Sequence, residues 1–354
     1  MTGSGSPMRV LVAMSGGVDS SVAAALCRDQ GHEVVGVTLK LWGGESDSGC
    51  CSVADVEDAR RVADQLDIEH HVFNFGDEFT EWVVDPYVAA HEAGHTPNPC
   101  VECNRHIKFD RLLDRADALG FDTVATGHYA RIMAAADGAP RVARGLDRAK
   151  DQSYVLHMLS PEQLDRVLFP VGDRTKTEIR SIAAGLGLRT AAKPDSQDVC
   201  FITKADGRQR FLSERMTLRP GQVVDLQGQP VGEVDSVQLV TIGQRRGLEL
   251  SGGGERRYVV ATDLSRDRVT VGGMKDLMTD VQPIDALEWA GAKVVGRLGA
   301  QCNAHGSAQP GFVTHGQLSW EQPQRRVAPG QSIVFYQDEL VVGAALAAAE
   351  QPNG

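Results

Sequence analysis

Between Met8 and about Thr203, short apolar runs alternate with stretches whose apolar residues recur three or four positions apart, the pattern of strands feeding amphipathic helices. Arg9–Ala13, Glu33–Leu39, His70–Phe75 and Thr123–Thr126 read as strands. Ser21–Gln30, Val53–Leu66, Glu78–His91 and Arg105–Leu119 read as the helices between them, and Asp173–Leu186 as a further helix stopped by Gly187. This alternation predicts an α/β fold with a doubly wound, mainly parallel sheet. Beyond about Phe211 the helical period gives way to turn residues, at Arg219-Pro220-Gly221, Gln227-Gly228-Gln229-Pro230 and Gly252-Gly253-Gly254. Short runs between and after them, at Gln222–Asp225, Arg257–Ala261, Ser332–Tyr336 and Leu340–Leu346, predict antiparallel strands. We therefore expect three parts: an α/β domain over 8–210, a small β-rich central domain over 211–280 and a C-terminal β-barrel over 281–350.

Length agrees with several domains, since 354 residues at roughly 150 per domain gives two or three. No apolar run approaches the roughly 18 residues of a membrane span, and Met1 to Pro7 lacks the basic and apolar stretches of a secretory signal. A cytoplasmic protein is expected. The net charge of −11 argues against indiscriminate binding to polyanions, so a nucleic-acid partner needs local basic patches. Arg245-Arg246, Arg256-Arg257 and Arg325-Arg326 are such patches, extended by Lys204, Arg208 and Arg210. Seven cysteines is an odd number for a disulfide framework, which leaves core filler, metal ligands or reactants. Cys27 and Cys302 read as filler.

The first strand runs into Ser15-Gly16-Gly17-Val18-Asp19-Ser20-Ser21, and a helix follows at once. Two glycines permit backbone conformations closed to other residues, so successive N–H groups converge on phosphate oxygens. The helix N-terminus adds partial positive charge, and the serines add hydroxyl donors. The string lacks the Lys-Ser/Thr ending that holds β and γ phosphates in Walker-type loops. It resembles the SGGVDS loop of N-type ATP pyrophosphatases, which transfer AMP to a substrate oxygen. A carboxylate at Asp19, set among phosphates, makes sense there with Mg²⁺ between them.

Asn98-Pro99-Cys100-Val101-Glu102-Cys103-Asn104 precedes a helix expected from Arg105, and Cys200 lies in Asp195-Ser196-Gln197-Asp198-Val199-Cys200-Phe201-Ile202. The C-x-x-C admits three readings: half a zinc site, a redox dithiol, or a reactive thiol at a helix N-terminus, where the helix dipole with Arg105, His106 and Lys108 favours the Cys103 thiolate. No second C-x-x-C or paired-His motif supplies the remaining zinc ligands. Cys200, taken by itself, is equally a buried core cysteine.

Read in order, SGGVDSS, NPCxxCN, TGHYAR, KDQSY, DSQDVCFI and TIGQRRGL resemble the tRNA-specific 2-thiouridylases, across nearly the whole chain. The resemblance implies a PP-loop domain, a small central domain and a C-terminal barrel. It implies ATP-dependent 2-thiolation of the wobble uridine of glutamate, lysine and glutamine tRNAs, through an adenylated base, with release of AMP and pyrophosphate. Cys200 would carry the incoming sulfur as a persulfide and Cys103 would attack that persulfide, leaving a disulfide for a reductant to reset. ATP and Mg²⁺ are the implied cofactors. The implied partners are tRNA and a cysteine desulfurase or relay protein as sulfur donor, with neither DNA nor a membrane.

Matching positions carry over one at a time. Ala13, Met14, Ser15, Gly16, Gly17, Val18, Asp19 and Ser20 would surround the ATP phosphates, Leu39 would touch adenine and Gly127 would line the nucleotide. His128 would sit beside the activated base, either polarising an oxygen or orienting a loop. Asn98, Pro99 and Cys100 match the segment contacting the target base, Lys150, Asp151 and Gln152 a tRNA-contacting string, and Arg325, Arg326 and Gln331 a barrel surface for tRNA. Taking a base from its stack into a pocket is what such chemistry requires. A second mechanism keeps Cys100, Cys103 and Cys200 as ligands of a [4Fe–4S] cluster with one iron open. Cys50-Cys51 has no assigned role. Rival functions are a PP-loop ligase acting on a small metabolite, and a sulfur-relay or RNA-binding protein that does not adenylate.

Overall fold

The computed structural model describes residues 6–41, 52–195, 199, 201–202, 207–250 and 256–349. The chain forms two compact units. The first takes Met1–Val83, Pro99–Lys204 and Glu339–Val341, and the second takes Val84–Asn98, Ala205–Asp338 and Val342–Gly354.

In the first unit β1 (Arg9–Ala13), α1 (Val18–Asp29), β2 (Glu33–Lys40), α2 (Val53–Leu66) and β3 (Glu69–Asn74) follow one another, and β4 (Thr123–Thr126) comes later. A hairpin of β5 (Ala130–Ala134) and β6 (Pro140–Arg144) leads on to the short β7 (Val167–Leu168). The sheet order is β3-β2-β1-β4-β7, and its pairings are parallel. Val10, Leu11 and Val12 are wholly buried, as a strand covered on both faces must be, which is why β1 reads as a continuous apolar run rather than an alternation. Ala23, Ala24 and Ala25 on α1 are equally buried and pack in the same core as Val10 and Val12, their short side chains letting helix and sheet approach closely. The doubly wound sheet expected from the sequence is present. Because the chain moves from β1 out to β3 and then returns to β4 on the other side of β1, the winding reverses between β1 and β4. In such sheets ligands sit outside the carboxyl ends of the strands at that reversal.

Several boundaries differ from expectation. The helix expected from Arg105 begins at Pro99, as Pro99–Glu102, continues as a π-helix over Cys103–Arg111 and ends as Leu112–Ala118. Proline fits a first helical turn, whose N–H groups lack partners anyway. Cys103 therefore lies inside a helical run rather than ahead of it, which corrects the expectation that a helix end would activate it. The helix expected at Glu78–His91 runs as Gly76–Phe79, a π-turn at Thr80–Val84 and Asp85–Glu92. A π-turn inserts a residue and blurs the 3.6 period on which sequence reading depends. Lys176–Gly185 forms with a Thr175/Glu178 capping box, and Gly187 at φ +67 follows its end, as the stop signal predicted. The β5–β6 hairpin and β7 had no counterpart in the sequence reading.

In the second unit β8 (Gly221–Val224), β9 (Pro230–Val234), β10 (Glu249–Leu250), β11 (Tyr258–Asp263) and β12 (Arg268–Gly272) form a sheet in the order β10-β9-β8-β12-β11. Its small core is Val223, Val234, Val237, Val259, Val269 and Val271. After it come β13 (Met278–Trp289), β14 (Arg297–Gln301), β15 (Gln309–Thr314), β16 (Gln317–Arg325), β17 (Ser332–Gln337) and β18 (Leu340–Ala347). β13 pairs with both β16 and β18, which closes these six strands into a barrel around Leu298, Leu318, Trp320, Ile333 and Phe335. A register shift between Asp285 and Glu288, with Ala286 at φ +48, lets β13 bend between its two partners. The expected C-terminal barrel is thus observed.

Candidate active site

The loop leaves β1 at Ala13. Met14 and Val18 lie in the core, 1% and 2% exposed, and anchor the loop. Gly16 adopts φ +71, and a Cβ there would fall 2.3 Å from the Asp55 carbonyl oxygen at the start of α2. Gly17 caps α1 in an extended conformation with no side-chain hydrogen bond, so only backbone occupies the helix mouth. The loop is held from within. The Ser15 N–H donates to Ser20 Oγ at 3.1 Å, and the Ser20 and Ser21 hydroxyls donate to the Gly17 carbonyl at 3.2 and 2.7 Å. Gly127, immediately after β4, comes so near α1 that a Cβ would lie 2.6 Å from Ser20 N. Ala13 pairs with Thr126 in the sheet, so loop and Gly127 meet at the carboxyl ends of β1 and β4, where the winding reverses. Leu39, 7% exposed, lies near the carboxyl end of β2.

Asp19 is the hub of a charge network. Lys176 Nζ lies 2.8 Å from both Asp19 oxygens, and the Tyr129 hydroxyl donates to Asp19 at 2.6 Å. The same ammonium is 2.8 Å from Asp195, whose carboxylate also accepts from Lys150 at 2.7 Å and Arg180 at 2.9 Å. Burial works against ionisation of Asp195, but bonds from Lys150 and Lys176 and their charges outweigh it and bring its pKa down to about 2. Tyr129 is driven up, by burial first and then by its bond to Asp19, so its hydroxyl stays a donor. Lys193 donates to the Gly16 carbonyl at 2.9 Å and to Asp55 and Asp58 at 2.7 and 2.8 Å. Partial burial opposes its charge, yet those carboxylates raise its pKa.

His128 is buried, with Nδ1 2.8 Å from the Thr126 hydroxyl and ring centroids 5.9 and 6.1 Å from Phe109 and Phe169. Burial, helped by the Lys108 charge, pushes its pKa well below the usual value, so the imidazole is neutral. Such a ring acts through hydrogen bonds rather than as a cation. Of the string assigned to tRNA, Lys150 belongs to the Asp195 network. The Asp151 side chain is 6% exposed and accepts from Arg144, the Gly145 N–H and the Ser153 N–H and hydroxyl. Gln152 accepts from the Tyr129 N–H at 2.9 Å.

Cys100 is exposed and Cys103 is 5% exposed, while Pro99 is buried. Asn104 locks the π-helical stretch by donating to the Val155 carbonyl at 3.0 Å. The cations expected to favour the Cys103 thiolate are partly engaged elsewhere, Arg105 and His106 with Glu102 and His106 with Asp110. Cys200, Cys50, Cys51 and Lys204 lie outside the described residues. Among the described residues no three His, Cys, Asp or Glu side chains converge as a metal centre requires, and no helix is long and apolar enough to cross a membrane.

In the second unit, which also contains Asn98, the structure brings Arg325, Arg326 and Gln331 to one cleft of about 600 Å³ together with Asn303, Gln309 and Trp320. Arg245, Arg246 and Arg256 are exposed on that unit, whereas Arg208 is tied to the Leu239 carbonyl at 2.8 Å and Arg210 to Glu214 at 3.3 Å. Sequence reading missed Tyr129, Lys176, Lys193 and Asp195 as members of the nucleotide-loop network. The signal was available in part: Tyr129 and Asp195 sit inside quoted motifs, and Lys176 falls in the first turn of the helix expected at Asp173–Leu186, where a cation is disfavoured.

An ATP-loop sheet followed by two β-rich modules defines a PP-loop protein with an appended barrel. Residues 8–204 match the family described as "tRNA methyl transferase HUP domain", 209–273 a "tRNA methyl transferase PRC-barrel domain" and 300–347 an "Aminomethyltransferase beta-barrel domain". A tRNA-specific 2-thiouridylase MnmA of Roseiflexus sp. (strain RS-1) is 44% identical over 95% of this chain and 98% of its own length. One from Mycobacterium sp. (strain KMS) is 47% identical over 97% of this chain and 99% of its own. The domain descriptions speak of methyl transfer, but each names one segment, whereas the thiouridylases match almost end to end. The chain belongs to the tRNA-specific 2-thiouridylase family. Among solved structures, the U34-tRNA thiolase NcsA from Methanococcus maripaludis with its [4Fe-4S] cluster is similar at 17% identity, covering 58% of this chain and 62% of that one, with a TM-score of 0.36. At that score the likeness says nothing of function.

Proposed function

We propose that this chain is a tRNA-uridine 2-sulfurtransferase that activates the base with ATP. The reading is carried by its membership, over nearly the whole sequence, in the thiouridylase family. Oxygen on C2 of uracil is a poor leaving group. Transfer of AMP to that oxygen releases pyrophosphate and turns the oxygen into part of a good one, after which sulfur attacks the carbon and AMP departs.

The residues present suit ATP. Glycines let the loop pack tightly against Asp55 and Ser20 where a side chain would intrude, and the mouth of α1, capped by Gly17 with no side-chain hydrogen bond, suits phosphate oxygens. They also suit Mg²⁺. Asp19 offers hard oxygen donors, and the Lys176 ammonium against both oxygens marks a place where positive charge is wanted. Bound there, the ion would offset phosphate charge. His128, neutral, serves as a hydrogen-bonding group near the end of β4. Cys200 receives sulfur as a persulfide, the terminal sulfur passes to the activated carbon, and Cys103 takes up the remaining sulfur in a Cys103–Cys200 disulfide that an external thiol reduces. A cysteine desulfurase or a relay protein donates the sulfur, the wobble uridine is the target, and the cytoplasm is the site of action. Arg325, Arg326 and Gln331 contact tRNA from the barrel cleft. The working division is 8–210, 211–280 and 281–350.

The test combines protein, ATP, a persulfide source and unmodified tRNA, with nucleosides read by mass spectrometry. AMP and pyrophosphate should form only with tRNA, and 2-thiouridine should be lost in Cys103→Ser and Cys200→Ser while tRNA-dependent release of pyrophosphate persists. Undiminished thiolation in Cys200→Ser overturns its role, and AMP formation without tRNA points to a small-molecule ligase. Iron and labile sulfide in anaerobically purified protein would favour the cluster mechanism instead.

A further inference from the structure

Lys176 sits where its own helix opposes it. It is the first residue of Lys176–Gly185, next to the Thr175 cap, and a cation at a helix N-terminus faces the positive end of the dipole. Its backbone N–H is fixed by Asp147 at 2.9 Å, and its side chain is 12% exposed. What holds the ammonium is a pair of carboxylates, Asp19 and Asp195, each at 2.8 Å, with the Tyr129 ring 5.8 Å away. Asp195 is in turn gripped by Lys150 and Arg180, so it remains in place whichever way Lys176 moves. Two helix mouths, those of α1 and of Lys176–Gly185, meet through the Asp19–Lys176 contact, at the loop expected to receive phosphates.

From this arrangement, and resting on the ATP-dependent reading above, we infer that Lys176 exchanges partners when nucleotide binds. Its ammonium leaves Asp19, remains against Asp195 and meets the phosphate chain, while Asp19 turns to the divalent cation. Asp195 is then a positioning residue. It gives Lys176 a second carboxylate and so prevents the Asp19–Lys176 pair from competing fully with the metal. Charge balance favours the exchange. Lys176 and a divalent cation cannot both lie against Asp19 without repulsion, and an incoming triphosphate offers the displaced ammonium new oxygen partners.

The experiment measures binding of a non-cleavable ATP analogue, with a methylene between its α and β phosphates, by calorimetry across a range of free Mg²⁺. Asp195→Asn should raise the Mg²⁺ needed for half-maximal affinity about tenfold, because Lys176 then stays on Asp19, yet leave affinity at saturating Mg²⁺ within about threefold of the parent. Lys176→Gln should do the opposite on both counts, lowering the Mg²⁺ midpoint and weakening affinity at saturation by at least about tenfold. A folding defect would weaken both variants without moving the midpoints in opposite directions. Parent-like midpoints in both variants, or shifts in the same direction, overturn the inference. If the parent protein binds no analogue at any Mg²⁺ concentration, the ATP reading beneath it fails instead.

Discussion

The nucleotide loop and the barrel cleft handle charge in opposite ways. Around the loop each cation named here has a carboxylate: Lys176 has Asp19 and Asp195, Lys150 and Arg180 have Asp195, and Lys193 has Asp55 and Asp58. On the cleft, Arg325 stands exposed beside Gln331 and Asn303. The first pattern suits a compact anion bound in one pose, since its charges are already gathered at the loop and binding needs only a local exchange of partners. The second suits a long polyanion, which is held by many weak contacts and released counterions. It also explains how a chain of net charge −11 belongs to a family acting on tRNA: the acidic excess is compatible with cationic patches confined to particular surfaces.

The contrast breaks most sharply at Gly16. An alanine there must adopt φ +71 and place its Cβ 2.3 Å from a backbone oxygen. Strain and overpacking together should cost about 2–5 kcal/mol. Denaturant unfolding should show the loss, and AMP formation should disappear while barrel substitutions leave it intact. A smaller effect is expected from acid. The folded-state pKa of Asp195 is about 2 against an ordinary 3.8, a depressed value, so its stabilisation is complete above about pH 4 and vanishes as pH falls through 2. With its side chain 23% exposed, that amounts to on the order of 2 kcal/mol. The stability gap between parent and Asp195→Asn, followed by unfolding at successive pH values, should be flat from neutrality to about pH 4 and then narrow. The smallest change belongs to the cleft. Arg325→Ala should weaken tRNA binding only about fivefold and reduce the salt slope by roughly 0.7–0.9, with the ATP dependence untouched. An Arg325→Ala protein with altered ATP affinity would erase the distinction between the two regions.

Much of the first unit was legible because its signals are local. β1, α2 and β4 have the limits their apolar patterns predict, and the glycine loop lies at the sheet reversal that strand order requires. The nucleotide-loop network was legible only in part. Lys176 and Asp19 are 157 positions apart, and no periodicity encodes a pairing of that range. The motif around Asp151 points to RNA contact, yet its oxygens are taken up by Arg144, Gly145 and Ser153, a use that becomes visible only once β6 has brought Arg144 alongside. The π-helical stretch at Cys103–Arg111 escaped for a different reason: its spacing departs from the period that locates helices.

One short return of the chain has a consequence for biosynthesis. Glu339–Val341 belongs to the first unit, where Glu339 receives Arg131 and Arg148, and Leu340 pairs with Ala143 on β6. Arg131 and Glu339 are separated by 208 positions. At roughly 5–20 residues per second, a ribosome needs about 10–40 s to bridge that gap. Until then the emerging nucleotide-binding half carries an unfinished edge at β6, and a nascent chain that stalls within the barrel leaves that edge exposed.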